Sequence, residues 1–411
     1  MSLIKSVTVH KYLLGKDLQF VFDCIRECVN FNENLHPRLI YILSDHLSHS
    51  TVLELFYEFR DMDLVVDALA VNSSLTHLDF SGYKIGGSGV AFLSQALKAN
   101  HYLTNLNLRN NGIGSSGAVS LSVALRANSS LTDLNLRGNE IGYSGSDFLF
   151  CVLTANSSVT ALDLSNNGTD LETFRAPSRD QPVNISLTKL DLSDNKIGTS
   201  GADSLSEALT FDNCLSYLNM GTNRIGSSGA VSLSKALSVN NSLTYLKLSA
   251  NQIDESGAAC LSEALKVNTC LTELDLGTNQ IGDSGAAYLS EALKVNNCLT
   301  KLSLNKSRIG DSGASSLSKA LKVNTCLTDL SLGWNCIGDS GAAFLSEALT
   351  VNTCLTKLNL FMNVIGVSGA ALLSEALTVN TCMNNLDLRL NKFKDTDFLP
   401  PPEFTDRMFT I

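Results

Sequence analysis

From residue 75 onward the apolar residues recur as L-x-x-L-x-L. The leading residue falls at Leu75, Leu103, Leu131, Val159, Leu187, Leu215, Leu243, Leu271, Leu299, Leu327, Leu355 and Met383, every interval being 28 residues. In one copy, LTELDL, alternation predicts a short strand with Leu271, Leu274 and Leu276 facing inward and Glu273 and Asp275 outward. Downstream, Ile281 is expected to plug the core and Gly282 to turn the chain. Asp283 or Ser284 then suits the N-cap of a helix carrying Ala287, Leu289, Ala292 and Leu293. The last three of these, spaced i, i+3, i+4, make one apolar stripe, and Asn296 stands where an asparagine commonly ends a helix in the left-handed conformation.

An asparagine follows the strand in ten of twelve copies, with Tyr83 and Ser307 as the departures. An interior amide there can satisfy turn backbone groups that no strand ladder reaches, each of which would cost about 1–3 kcal/mol if left unpaired. No copy can bury its apolar edge alone, so the copies must stack. The expected fold class is α/β, a solenoid or horseshoe with a parallel sheet on its concave face and helices on its convex face.

The organisation follows from where the pattern holds. Residues 1–60 are expected to form a helical N-terminal cap, and 61–74 the helix half of a repeat without its strand. Twelve repeats then run from Leu75 to about residue 393. Residues 394–411 form a C-terminal cap in which Pro400, Pro401 and Pro402 stop further stacking. The fourth repeat, Val159–Ser186, keeps its strand, but its second half, TDLETFRAPSRDQPV, has two prolines and no helical stripe. An irregular loop on the convex side is expected there, either a tolerated lesion or a contact loop.

The pattern L-x-x-L-x-L-x-x-N-x-I-G-x-x-G-A-x-x-L-S-x-A-L resembles the ribonuclease-inhibitor subfamily of leucine-rich repeats, found also in the sensor regions of NOD-like receptors and in Ran GTPase-activating proteins. The resemblance covers about residues 61–393 and implies protein recognition on the concave face. No G-x-x-x-x-G-K-[ST] occurs, so only the ligand-sensing part of a NOD-like receptor is matched. The chain ends DFLPPPEFTDRMFTI, where the GTPase activator typically carries a long acidic segment.

Charge and cysteine usage narrow the function. With 30 basic and 40 acidic residues, the formal charge of −10 disfavours nucleic acid or an anionic membrane as partner. No apolar run is long enough for a membrane span, and the first fifteen residues lack the pattern of a signal peptide. Of 11 cysteines, Cys214, Cys270, Cys298, Cys326, Cys354 and Cys382 occupy one equivalent repeat position, as half-buried filler rather than disulfide pairs. A reducing compartment is expected: the cytoplasm, with the nucleus or delivery into a host cell left open.

All six histidines (His10, His36, His46, His49, His77 and His101) lie in the first quarter of the chain, which argues against a catalytic arrangement within the repeats. The chain is expected to be no enzyme and to need no cofactor. Cys24, Cys28, His46 and His49 leave an N-terminal metal-dependent module as an alternative, although their spacing departs from the usual zinc site and a helical cysteine pair explains them more simply.

The favoured function is a monomeric scaffold that binds a globular protein partner, as an inhibitor, adaptor or sensor; a regulator resembling the Ran GTPase activator is the other alternative. At the third strand position the charge alternates from Glu273 through Lys301 and Asp329 to Lys357, which reads as lateral ion pairing. Tyr217 and Tyr245 at that position offer rigid contact area or simply cover the sheet. Beyond the strands of repeats ten to twelve, small residues give way to Trp334, Phe361, Met362, Arg389 and Leu390. That is the composition of an interface centre, or of a patch packed under the C-terminal tail.

Overall fold

A computed structural model describes residues 69–153, 155–169 and 186–393, together with the backbone of Val52–Glu54 and Met408–Thr410. Two compact units divide the chain, the first from residues 1–169 and 179–195, the second from residues 170–178 and 196–411.

In the first unit, six strands lie parallel in chain order: β1 (Val52–Glu54), β2 (His77–Asp79), β3 (Asn105–Asn107), β4 (Asp133–Asn135), β5 (Ala161–Asp163) and β6 (Lys189–Asp191). Helices α1 (Gly86–Ala99), α2 (Gly114–Ala127) and α3 (Gly142–Leu153) follow β2, β3 and β4. The second unit opens with helix α4 (Gly198–Leu209) and continues through β7 (Tyr217–Asn219), α5 (Gly226–Leu237), β8 (Tyr245–Lys247), α6 (Glu255–Val267) and β9 (Glu273–Asp275). It continues with α7 (Gly282–Leu293), β10 (Lys301–Ser303), α8 (Asp311–Leu321), β11 (Asp329–Ser331), α9 (Asp339–Leu349), β12 (Lys357–Asn359), α10 (Val367–Val379), β13 (Asn385–Asp387) and β14 (Met408–Thr410). Its strands are also parallel and in chain order. Each unit is an α/β solenoid.

Equivalent residues pair across strands, Leu274 with Leu302 and Leu302 with Leu330, so inward leucines stack on one another in columns. Leu271, Leu274, Leu276, Ile281, Leu289, Ala292 and Leu293 are all buried, as expected. In the helix the core takes Ala286 rather than Ala287, which is only half-buried. The buried face runs Gly285, Ala286, Leu289, Ser290, Ala292, Leu293 because small residues let neighbouring helices approach.

The asparagine after the strand works as expected. The Asn279 amide donates to the carbonyls of Leu248 and Leu276, both at 2.9 Å, and its oxygen accepts from the N–H groups of Asn251 and Ile253, both at 3.0 Å. One side chain thus ties two repeats together. Asn296 does not take the left-handed conformation expected of it. It forms a second ladder instead, donating to Leu265 (2.7 Å) and Asn268 (3.2 Å) carbonyls and accepting from the N–H groups of Cys298 (3.1 Å) and Leu299 (2.8 Å). It closes the preceding repeat's helix while starting its own strand. A third ladder is threonine: the Thr272 hydroxyl donates to the Thr244 carbonyl, and that of Thr300 to Thr272, each at 3.0 Å.

Helix capping also crosses repeats. Asp283 lies inside the first turn of α7, which has no side-chain cap, so its carboxylate does not cap its own helix as the sequence suggested. It accepts from Gly310 (2.7 Å) and Gly313 (2.9 Å) at the start of α8. Asp311 does the same for Gly338 and Gly341, and Asp339 for Gly366 and Gly369. The free N–H groups and positive dipole end of the adjacent helix face the carboxylate across the repeat boundary. Asp254 alone of these keeps to its own helix, accepting from Ser256 (2.8 Å) and Gly257 (3.3 Å), and it also receives the hydroxyl of Ser227 at 2.5 Å.

The chain ends differ from expectation where they are described. Strand β1 pairs with β2, so the half repeat expected to lack a strand is preceded by one. At the other end β14 pairs with β13; the three prolines precede that strand and leave its backbone donors intact. The rest of the expected helical cap, including Cys24, Cys28, His46 and His49, lies outside the described residues, as do residues 170–185 of the irregular fourth repeat and residues 394–407 of the tail.

Candidate protein-binding site

Each strand runs into a four-residue turn whose second residue has positive φ in every repeat, from Gly82 at +80° to Leu390 at +57°. In the first unit that place is held by Gly82, Asn110, Gly138, Asn166 and Asp194, residue types that tolerate the left-handed region. In the second unit it is held by Thr222, Ala250, Thr278, Lys306, Trp334, Met362 and Leu390. For such side chains the conformation costs about 1–2 kcal/mol each relative to glycine. Packing returns little of that for Trp334 and Leu390, which are 50% and 65% exposed.

The structure brings three of the sequence-derived candidates together. Trp334 and Phe361 meet with ring centroids 6.0 Å apart and planes tilted by 56°. The Arg389 guanidinium lies 5.5 Å from the centroid of the Phe361 ring. It is held there by Asp387, which accepts from Nε at 3.0 Å and Nη2 at 2.6 Å, and the carboxylate raises the guanidinium pKa further. Leu390 is exposed beside Arg389, and half-buried Met362 follows Phe361. Neighbouring backbones hold these turns rigidly: Lys306 donates to Gly333 at 2.8 Å, Trp334 to Phe361 at 2.7 Å and Met362 to Arg389 at 2.8 Å.

Tyr217 and Tyr245, facing each other on β7 and β8, stack with centroids 4.3 Å apart and planes within 10°. They stand apart from the Trp334 group in the order of strands, with β9 and β10 between β8 and β11. Of the alternating charges, Lys301 bonds Glu273 at 2.5 Å, which raises the lysine pKa. Burial pushes the Asp329 carboxyl above its usual value against the opposing pull of Lys357 and Lys301.

Two grooves flank Trp334. One, of about 500 Å³, is lined by Gln252, Thr278, Gln280, Lys306 and Arg308 beside the indole; the other, of about 340 Å³, by Asn305, Lys306, Asn359 and Phe361. Lys306 and Arg308 were not singled out from the sequence. Reading each turn position down the array for charge sign, as was done for the strand position, finds them. The half-buried Cys214, Cys270, Cys298, Cys326, Cys354 and Cys382 form no disulfide, and burial raises the pKa of Cys270. No group of three or more metal-ligating side chains occurs among the described residues, and no helix among them is long and apolar enough to cross a membrane.

Comparison with known proteins agrees with this architecture. The family model described as Leucine Rich repeat matches ten segments: 71–94, 99–122, 127–147, 183–206, 212–234, 239–262, 267–290, 295–318, 323–346 and 351–374. They cover more than half of the chain and leave out residues 148–182, which hold nearly all of the irregular fourth repeat. Among curated proteins, none matches the chain. Among solved structures, an internalin from Listeria monocytogenes is similar over 89% of this chain and 88% of its own, at 20% identity and a TM-score of 0.51. A structure of the yeast Rad7 and Elc1 complex is similar over 85% of this chain and 92% of the matched one, at 16% identity and a TM-score of 0.47. The periodic leucines, the cross-repeat asparagine ladders and the ten family matches together establish that this chain belongs to the leucine-rich repeat family.

Proposed function

We propose that the chain is a protein-protein interaction scaffold and not an enzyme, and that it clasps a globular partner on its sheet face through Trp334, Phe361, Met362, Arg389 and Leu390. The observation that carries this reading is the placing of Trp334 and Leu390, large apolar side chains left in solvent on a left-handed backbone whose other occupants include glycine and asparagine. A strained, exposed apolar residue with rigid neighbours adds nothing to the free chain and serves contact. The stacked Tyr217 and Tyr245 supply a second rigid surface on the same unit's sheet. The repeat pattern is similar to that of the ribonuclease-inhibitor and NOD-like receptor repeats, and with the half-buried cysteines that form no disulfide it supports a monomeric recognition protein of the cytoplasm.

The test is affinity capture from lysate with wild type beside a Trp334→Ala, Phe361→Ala, Arg389→Ala variant that has a matching unfolding midpoint. The reading requires at least one protein bound stoichiometrically by wild type and lost by the variant. Identical capture by both would return these residues to cap packing and move the contact to Tyr217 and Tyr245.

A further inference from the structure

The turns that follow the strands of repeats six to twelve are GTNR, SANQ, GTNQ, NKSR, GWNC, FMNV and RLNK. They contain Arg224, Lys306, Arg308, Arg389 and Lys392 and no aspartate or glutamate, in a chain whose net charge is −10. In the first unit the same turns mix signs, with Glu140 and Asp194 among Lys84, Arg109 and Arg137. All five of these turn cations are exposed. Arg389 is paired with Asp387, whereas Arg224, Lys306, Arg308 and Lys392 have no carboxylate partner among the described residues. An uncompensated cationic rim on an acidic protein raises self-repulsion locally, and an anionic partner relieves it.

The spacing adds a dimension. The cations fall in repeats six, nine and twelve, and strands about 4.8 Å apart put three repeats at about 14 Å. An extended chain crosses that distance in about four residues. Between the second and third cationic sites stands Trp334, with the smaller groove running on to Asn359 and Phe361, where an apolar side chain would be seated; the larger groove runs the other way, past Lys306 and Arg308 to Gln252.

We infer that the turn rim of repeats six to twelve binds an extended acidic segment of a partner protein, with carboxylates about four residues apart and one apolar side chain seated against Trp334. This rests on the recognition reading above and names the chemistry of its partner. A peptide suits the rim better than a nucleic acid. The cations are sparse and interleaved with apolar side chains, while a polynucleotide carries a charge at every residue and meets the repulsion of the whole acidic chain.

Trp334 is the chain's only tryptophan, so its emission reports directly on the site. The full chain is titrated with tryptophan-free peptides about nine residues long. These carry glutamate at the first, fifth and ninth positions, leucine after the middle glutamate, and varied residues elsewhere. Control probes replace the glutamates by lysine or the leucine by serine, and a thymidine oligonucleotide of matching length forms the third arm. The expected result is a saturable shift with the acidic leucine peptides. It should weaken about tenfold in a Lys306→Glu, Arg308→Glu variant of unchanged unfolding midpoint, weaken likewise in wild type as salt is raised, and weaken when leucine is lost. No saturable shift, equal binding of the lysine peptides, or tighter binding of the oligonucleotide would overturn the inference. A captured partner that depends on Trp334 but not on Lys306 and Arg308 would leave the recognition reading standing and remove this one.

Discussion

The backbone N–H of Trp334 donates to the carbonyl of Phe361 across 2.7 Å, so the two aromatic residues are joined through their main chains as well as through their rings. Equivalent bonds join Gly82 to Arg109 and Thr222 to Ser249, both at 2.8 Å. The turn conformation is therefore imposed by stacking, whatever side chain occupies it, and this is how bulky residues come to sit at φ near +55°.

That reasoning makes the strain measurable. Thr222 and Leu390 adopt φ of +58° and +57°, where Asn110 and Asn166 occupy the equivalent place in the first unit. Thr222→Asn and Leu390→Asn should each raise stability by about 0.5–1 kcal/mol, read as a higher urea midpoint. A midpoint unchanged or lowered in both would mean that the left-handed turn costs these side chains nothing.

Ser307 interrupts the asparagine ladder. Its hydroxyl reaches the carbonyls of Leu276 (3.4 Å) and Asn305 (3.2 Å), whereas Asn279 and Asn335 each bridge two repeats. Ser307→Asn should restore an acceptor for the N–H groups of Asn279 and Ile281 and stabilise the protein by about 1 kcal/mol. Loss of stability would show that the site lacks room for the larger side chain.

Gly341 sits where a Cβ would meet Asp311 Oδ1 at 2.6 Å and Ile337 Cγ2 at 2.7 Å. Gly341→Ala should cost about 1–3 kcal/mol despite alanine's better helix propensity, because it displaces the carboxylate that caps α9. A stabilised variant would contradict cross-repeat capping.

The hydroxyls of Ser227 and Ser256 pull the Asp254 pKa down from 3.8 to about 2. A depressed pKa in the folded state contributes stability that is present above the unfolded value and lost as pH falls through the folded one. Wild type should therefore exceed Asp254→Asn in stability near neutrality, and the difference should shrink between about pH 4 and pH 2. A difference independent of pH would assign the effect to packing instead.

Most of the fold was legible because its determinants are local. The inward leucines of LTELDL and the stripe Leu289, Ala292, Leu293 follow from alternation and helical spacing within one repeat. Asn279 was legible because a recurrent polar residue among buried ones needs backbone partners. The misplaced features act between repeats: Asp283 caps α8 rather than α7, and Asn296 reaches back to Leu265. Within a single repeat both look like ordinary cap residues, and only stacking shows which helix they serve. The Trp334 group was visible as a change of residue type, but its left-handed backbone and the neighbouring Lys306 and Arg308 depend on turn geometry that residue preference argues against.

The bonds of the asparagine and threonine ladders that join equivalent residues, such as Asn251 to Asn279 and Thr272 to Thr244, span one full repeat. Loss or gain of a whole repeat leaves every such bond with an equivalent partner, whereas loss of one residue breaks several at once. The array can therefore lengthen or shorten by whole-copy duplication without inventing new contacts. Trp334 can be carried nearer to or farther from a second contact such as the Tyr217–Tyr245 stack in steps of about 4.8 Å, so the reach of the surface can change while its chemistry stays the same.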